Sequence, residues 1–231
     1  MKFCDMPYER IDVKAATEAL DAAAERLSAA KTIEEAEEAL SEREKIISHV
    51  QTMSTIAYIR HTVNTLDEFY EKENDFNDEN APLIEQSEQK FTEAMLGSPL
   101  RAQLEEKYGK LMFVNAELSR RCFSPEIIPD LQEENKLSSE YQKLIAAAQI
   151  DFIGEKRRLS QLGAYKENAE RDVRRAAYEA ESGFYMAHAD ELDRIFDSLV
   201  KCRTRIAKKL GFNTFTERAY CRQTRNCYDA K

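Results

Sequence analysis

The sequence predicts a mainly α protein, a multi-helix array or bundle carrying one small β-hairpin at about residues 149–159. Three observations carry that prediction. Only six glycines and five prolines occur in 231 residues, too few for a sheet-and-turn architecture. Hydrophobic residues make up 42% and charged residues 33%, a balance that suits amphipathic helices with one buried stripe each. The run from Leu144 to Leu162 then departs from helical spacing, with Ile150 and Phe152 on one strand and a second strand after a two-residue turn at Gly154-Glu155. A chain of this length buries roughly 70% of its surface, as one large or two modest domains.

Each element has a local reason. Asp12 caps an alanine-rich helix running toward Ala30. Thr32 and Glu35 form a capping box for a second helix reaching about Val63, whose apolar positions Ala36, Ala39/Leu40, Ile46/Ile47, Val50, Met53 and Ala57 recur every three or four residues. Asp67 starts a third segment, and Asn80-Ala81-Pro82 is expected to kink or interrupt it, because proline lacks the backbone donor. A further helix runs to Leu96, closed by Gly97-Ser98-Pro99, and Gly109 separates the next short helix from Lys110–Phe123.

Ser124-Pro125-Glu126 reads as a helix start, with Leu137, Tyr141, Leu144, Ile145 and Ala148 as the apolar face of the helix that follows. After the hairpin, Ser160 is expected to cap a short helix. Arg171–Met186 buries Val173, Ala176, Ala177, Ala180 and Phe184. The last long helix presents Leu192, Ile195, Phe196, Leu199, Cys202, Ile206 and Leu210 before a left-handed stop at Gly211, and Thr214 opens a short helix to about Tyr220. No fixed-period repeat is present, which disfavours a solenoid. The tail CRQTRNCYDAK lacks a terminating cap or closing apolar element, so the chain is expected to continue in something longer.

Charge and cysteine usage exclude several classes. The formal charge is −9, which disfavours a nucleic-acid partner, and no apolar run approaches the roughly 20 residues of a membrane span. The first residues, MKFCDMPYER, have no apolar secretory core. Five irregularly spaced cysteines without a CxxC suit free thiols in a cytoplasmic protein. The basic runs Lys156-Arg157-Arg158 and Arg203 to Lys209, and the carboxylate pairs Glu34-Glu35 and Glu133-Glu134, read as solvated helix or hairpin faces.

Catalytic motifs are absent from the sequence. His49, His61 and His188 begin no His-Glu-x-x-His and end no Glu-x-x-His, since Val50, Thr62 and Ala189 follow them and Ile46, Tyr58 and Tyr185 lie three residues before. Neither a Gly-x-Ser-x-Gly elbow nor a phosphate-cradling glycine loop occurs. No catalytic or metal residue is assigned, and no substrate-binding residue is identified.

An ordered set of short motifs nevertheless resembles the oligoendopeptidase F family, the thimet-oligopeptidase-like zinc metallopeptidases. It comprises Met6-Pro7-Tyr8-Glu9-Arg10, Ile59-Arg60-His61-Thr62, Asp67-Glu68-Phe69-Tyr70, Glu73-Asn74-Asp75-Phe76, Phe123-Ser124-Pro125-Glu126 and Leu131-Gln132-Glu133-Glu134-Asn135. Ser139 to Leu162, Arg174-Arg175-Ala176-Ala177 and Arg205-Ile206-Ala207-Lys208-Lys209-Leu210-Gly211 complete it. The segment Tyr220 to Asp229 is similar to a Tyr-x-Arg-Met-x-Arg-x-Asp-Tyr-Asp run at the start of the family's peptidase half. Gln223 and Cys227 depart from that run, so the resemblance fixes no role for Arg222 or Arg225.

The resemblance implies a mostly helical enzyme of two lobes around a deep channel that admits oligopeptide substrates. Its zinc is held by the histidines of a His-Glu-x-x-His helix and a later glutamate, with the motif glutamate as general base. Those residues belong beyond Lys231, so this chain is expected to hold no cofactor itself, zinc entering only with the full-length protein. The implied division is residues 1–112 as an N-terminal helical region, 113–185 as an oligoendopeptidase F N-terminal-type domain with the hairpin, and 186–231 as the start of the peptidase domain. The expected partners are the peptide substrate, the missing C-terminal half and, through the truncated face near residues 190–231, a second copy of the chain. The alternative is a freestanding helical module that binds a protein or peptide. A lobe cut from a larger enzyme is expected to expose an apolar patch of several hundred Å² at that face, whereas a freestanding module is polar there.

Overall fold

The computed structural model describes residues 2–228. Ten α-helices and a single two-stranded hairpin are present among these residues. The mainly α architecture predicted from composition is the one observed.

Helices α1 (Val13–Ala29), α2 (Ile33–Val63) and α3 (Glu68–Leu96) pack together as the N-terminal core. Side-chain caps start all three. Asp12 accepts from Ala15 N at 3.0 Å, Thr32 and Glu35 form the reciprocal box, and Asp67 accepts from Phe69 and Tyr70 N. Small residues let α1 come close to its neighbours. Ala23, Ala24, Ala36 and Ala39 share one buried cluster with Leu27, Phe91 and Met95. A second cluster joins Leu20 to Ile47, Val50, Met53, Ile56 and Ile84 at the other end of the same helices. Fully burying a leucine such as Leu20 contributes about 1.5–3 kcal/mol.

Helix α3 is uninterrupted through Pro82, contrary to the expected break. Proline at position 82 removes the donor that would bind the Asp78 carbonyl four residues earlier. Asn135 Nδ2, on α6 (Ile128–Ala146), donates to that carbonyl at 3.0 Å, and Gln132 Nε2 donates to Glu79 O at 2.7 Å. A neighbouring helix thus supplies the hydrogen bond the proline takes away.

Helices α4 (Arg101–Tyr108) and α5 (Lys110–Arg120) are divided by Gly109, whose φ of 87° suits glycine. Helix α5 ends at Arg120 rather than Phe123. The start of α6 also differs from expectation. Pro125–Ile127 form a 3-10 turn, and the Ser124 side chain makes no capping hydrogen bond. The buried face of α6 carries Asp130, Leu131 and Glu134, whereas Tyr141 is exposed.

Strands β1 (Ile150–Phe152) and β2 (Glu155–Arg157) pair antiparallel with Phe152 opposite Glu155. The turn residues are therefore Ile153 and Gly154, one position earlier than expected. Both have positive φ, 51° and 76°, as a two-residue hairpin turn of that hand requires. The short helix that follows is 3-10 at Leu159–Leu162 and then α7 (Gly163–Lys166). The N-cap residue is Arg158, whose N–H donates to Gln161 Oε1 at 2.8 Å; Ser160 lies within the 3-10 turn and is not the expected cap.

Helices α8 (Arg171–Ala187) and α9 (Ala189–Lys209) run on to Gly211 at φ 79° and to α10 (Phe215–Arg222), capped by Thr214. Helix α8 buries only Ala177 against the hairpin, and Ala176 is exposed. Helix α9 buries Ile195, Cys202, Ile206 and Ala207, but Phe196 is 69% exposed instead of buried.

Candidate functional site

A concavity of about 910 Å³ forms an open groove between α2, α3 and α5. Its floor is apolar because the i, i+3, i+4 stripes of these helices converge there, with Ile47, Val50, Ile84, Phe91 and Met95. Polar residues that flank the stripes form the rim, among them Gln51, Asn77, Asn80 and Gln89. Across the rim Arg43 forms a fork with Glu88, Nε to Oε1 at 3.1 Å and Nη2 to Oε2. Glu85 stands open to the groove yet ringed by protein. Burial pushes its carboxyl up, and the charges of Arg222 and Arg218 pull it back only partly. Amide side chains beside an apolar floor can pair with peptide backbone while side chains settle on the floor.

A second polar site lies where α6 meets α9 and α10. Asp130 binds Arg205 and Lys209, and Glu134 accepts from Arg203 Nε at 2.8 Å and from Arg222 Nη1 at 3.0 Å. Arg218 Nη1 is 3.9 Å from Glu134 Oε2. Burial raises the Glu134 carboxyl, but Arg222, Arg203 and Arg218 outweigh that and hold it below the ordinary carboxylate range. Glu134 is 3% exposed. Reading Glu133-Glu134 and the Arg203 to Lys209 run as solvated faces is thus incorrect at Glu134, whose carboxylate is the buried counter-ion of the basic run. The sequence does cluster acids there, since Asp130, Glu133 and Glu134 fall at i, i+3 and i+4 of α6, but that pattern does not distinguish Glu134 from Glu133.

The motifs quoted from the sequence meet in pairs as stitches between helices. Tyr8 OH donates to Glu73 Oε2 at 2.6 Å, and Arg10 Nε donates to both Glu73 oxygens at 3.0–3.1 Å. Arg60 Nη2 donates to Met6 O at 2.6 Å, and its Nη1 donates to Tyr70 OH. Asn74 Nδ2 donates to Ser139 Oγ at 3.0 Å. In the last motif, Arg222 binds Glu134 while Arg225 stacks on Tyr220 at 4.6 Å and Tyr228 at 5.6 Å. Asp229, which ends that motif, lies outside the described residues.

The described residues do not fit a zinc centre. His49 Nε2 lies 3.4 Å from Glu9, and His188 Nδ1 is 2.9 Å from the Phe184 carbonyl. His61 is buried with Glu71 at 3.9 Å. No group of three or more His, Cys, Asp or Glu side chains that could hold a metal occurs among the described residues. The five cysteines are free, with Cys122, Cys202 and Cys221 buried. Burial pushes the Cys122 and Cys202 thiols up to about 11, which keeps them protonated and unreactive. No helix among the described residues is long and apolar enough to cross a membrane.

A model of the peptidase M3 N-terminal domain matches residues 3–123. PZ peptidase A, solved with an inhibitor, is 43% identical with a TM-score of 0.94 over 99% of this chain and 41% of its own. A protein assigned as oligoendopeptidase F from Bacillus anthracis str. Ames is 44% identical with a TM-score of 0.94, over 100% of this chain and 42% of its own. Another assigned as oligoendopeptidase F is 41% identical with a TM-score of 0.95, over 100% of this chain and 41% of its own. No curated protein matches the chain. The chain thus spans about two-fifths of the length of the solved structures it resembles.

Proposed function

The chain belongs to the M3 peptidase family, and from that membership we propose that it is the N-terminal lobe of a cytoplasmic zinc metalloendopeptidase that hydrolyses oligopeptides. The observation that carries this reading is the match of the whole chain, at 41–44% identity, to two-fifths of peptidases. The lobe forms one wall of the peptide channel and limits entry by size. Helices suit that task because their backbone hydrogen bonds are internal, so a long wall can face water without unpaired groups. Residues 1–112 and 113–185 supply the helical regions of the wall, and 186–231 leads into the peptidase half.

Zinc, when the remainder of the enzyme is present, supplies Lewis-acid activation of water. This chain's own residues bind and orient the peptide. The groove between α2, α3 and α5 is the concave surface suited to it, with amides for the backbone and an apolar floor for side chains. The outer faces of α8 and α9 meet the second half of the enzyme. Met186 on α8 and Phe196 and Val200 on α9 are exposed, the last two four residues apart on one helix face, which suits burial by another lobe.

The test is hydrolysis of an internally quenched oligopeptide with zinc present. The purified chain should not cleave it, and the chain fused to the remaining three-fifths of PZ peptidase A should. Chelator-sensitive cleavage by the chain alone would overturn the proposal, as would an inactive but folded and zinc-loaded fusion. The groove also supports a second reading, a freestanding peptide-binding module. That reading predicts a monodisperse chain that holds the uncleaved peptide, and an active fusion would count against it.

A further inference from the structure

We propose that the cleft between α6 and α10 is a carboxylate-binding subsite, and that its ligand is the C-terminal carboxylate of a short peptide. The cleft has a volume of about 420 Å³ and lies outside the groove described above. Its uncommitted donors come from Arg203, Arg222 and Gln223, with Phe215 as an apolar wall. The Glu134 carboxylate also lines the cleft, and Ser138 Oγ already donates to the Glu134 carbonyl at 2.8 Å. Arg203 is already oriented, its guanidinium carbon 5.6 Å above the Phe215 ring and its Nε bound to Glu134.

The charge balance points to an anion. Three guanidiniums, those of Arg203, Arg218 and Arg222, face one buried carboxylate, Glu134. Glu85 on α3 is the other acid whose charge reaches Arg218 and Arg222, and it has no side-chain hydrogen bond to either. One positive charge is therefore left over. The leftover is concentrated at Arg218, which is 1% exposed and whose Nε and Nη1 have no hydrogen-bond partner among the described residues. Arg218 is not itself in the cleft lining; it stands behind Glu134, 3.9 Å from Oε2. An anion held by Arg203 and Arg222 therefore adds counter-charge to the same cluster and offsets part of the cost of a buried guanidinium short of hydrogen bonds. Burial and the nearby Arg222 charge both lower the Arg218 pKa, in keeping with a cation short of counter-charge.

A carboxylate fits better than a bulkier anion. Arg203 and Arg222 each commit one edge to Glu134 and keep further N–H groups, and both are partly exposed. A planar two-oxygen anion can take one donor from each, as arginine–carboxylate pairs do. The choice of a peptide as the source of that carboxylate rests on the peptidase reading above. The chemistry of the cleft does not.

Calorimetric titration of the full 231-residue chain at neutral pH provides the test, with acetyl-Ala-Ala, its C-terminal amide, sodium acetate and inorganic phosphate as probes. Acetyl-Ala-Ala should bind saturably, and the amide at least about tenfold more weakly, the factor expected when a charge-assisted hydrogen bond is lost. Arg222→Gln, on a half-exposed side chain, should weaken the acid by a similar factor. Arg225→Gln, whose guanidinium stacks on tyrosines outside the cleft, should not change it. Should Arg222→Gln fail to fold by circular dichroism, Arg203→Gln replaces it. Equal affinity for acid and amide, no saturable binding, or indifference to both arginine variants would overturn the site. Acetate or phosphate binding as tightly as the peptide acid would overturn the peptide source. Loss of cleavage in the fusion with this binding intact would instead strike the peptidase reading alone.

Discussion

Glu134 sits inside the protein with three arginines around it, and removing its charge strands them. Glu134→Gln should destabilise the chain by about 3 kcal/mol or more, the usual cost of leaving buried charge uncompensated, read from urea unfolding. Its pH dependence has a definite sign. The folded-state pKa is depressed, so the stabilisation is present above the unfolded carboxylate pKa of about 4.3 and is lost as pH falls through the folded value. The wild-type urea midpoint should therefore drop more steeply below about pH 4.5 than that of Glu134→Gln. Parallel curves would mean that the three arginines do not hold the group ionised. Nothing in the immediate sequence around Glu134 separates it from the solvated Glu133, because the arginines that bury it arrive from 69 and 88 residues away.

Among the elements, those with a local cause are legible in the sequence. Asp12, Thr32, Asp67 and Thr214 cap helices where their side chains predict, and Gly109 and Gly211 adopt the positive φ their positions call for. Pro82 misleads because its compensation is tertiary. Asn135→Ala should cost about 1–2 kcal/mol by leaving the Asp78 carbonyl unpaired. In a Pro82→Ala background the same change should cost less, since the substituted residue has an N–H of its own to donate to that carbonyl. Additive effects in this double-mutant cycle would refute the compensation. The hairpin turn is a smaller case. Gly154→Ala forces an L side chain to φ 76°, and a loss of about 1 kcal/mol in thermal or urea stability is expected.

For the whole molecule, fold class and family membership are legible, and the site is not. Composition and helical spacing specify an α array without regard to which faces converge, whereas the groove depends on how α2, α3 and α5 cross. The outer surface of α9 shows the same limit. Helical spacing assigns Phe196 to the core, yet it lies with Val200, four residues on, along an exposed side of the helix. Such a stripe should make the chain self-associate at high concentration. Sedimentation velocity should show a concentration-dependent rise in sedimentation coefficient that the pair Phe196→Gln and Val200→Gln abolishes. A wild-type chain that stays monomeric at all concentrations would remove this support for a second lobe at that face.

The bond from Asn135 to the Asp78 carbonyl also bears on the order in which the chain assembles. Until α6 arrives, the middle of α3 has one carbonyl without a donor and a ring pressing on the turn before it, so its two ends are better formed than its centre. A synthetic peptide of residues 68–96 should thus gain helicity when Pro82 becomes alanine, although the native chain runs through that position unbroken. During synthesis α3 should therefore gain its full stability only once the chain as far as Asn135 has left the ribosome.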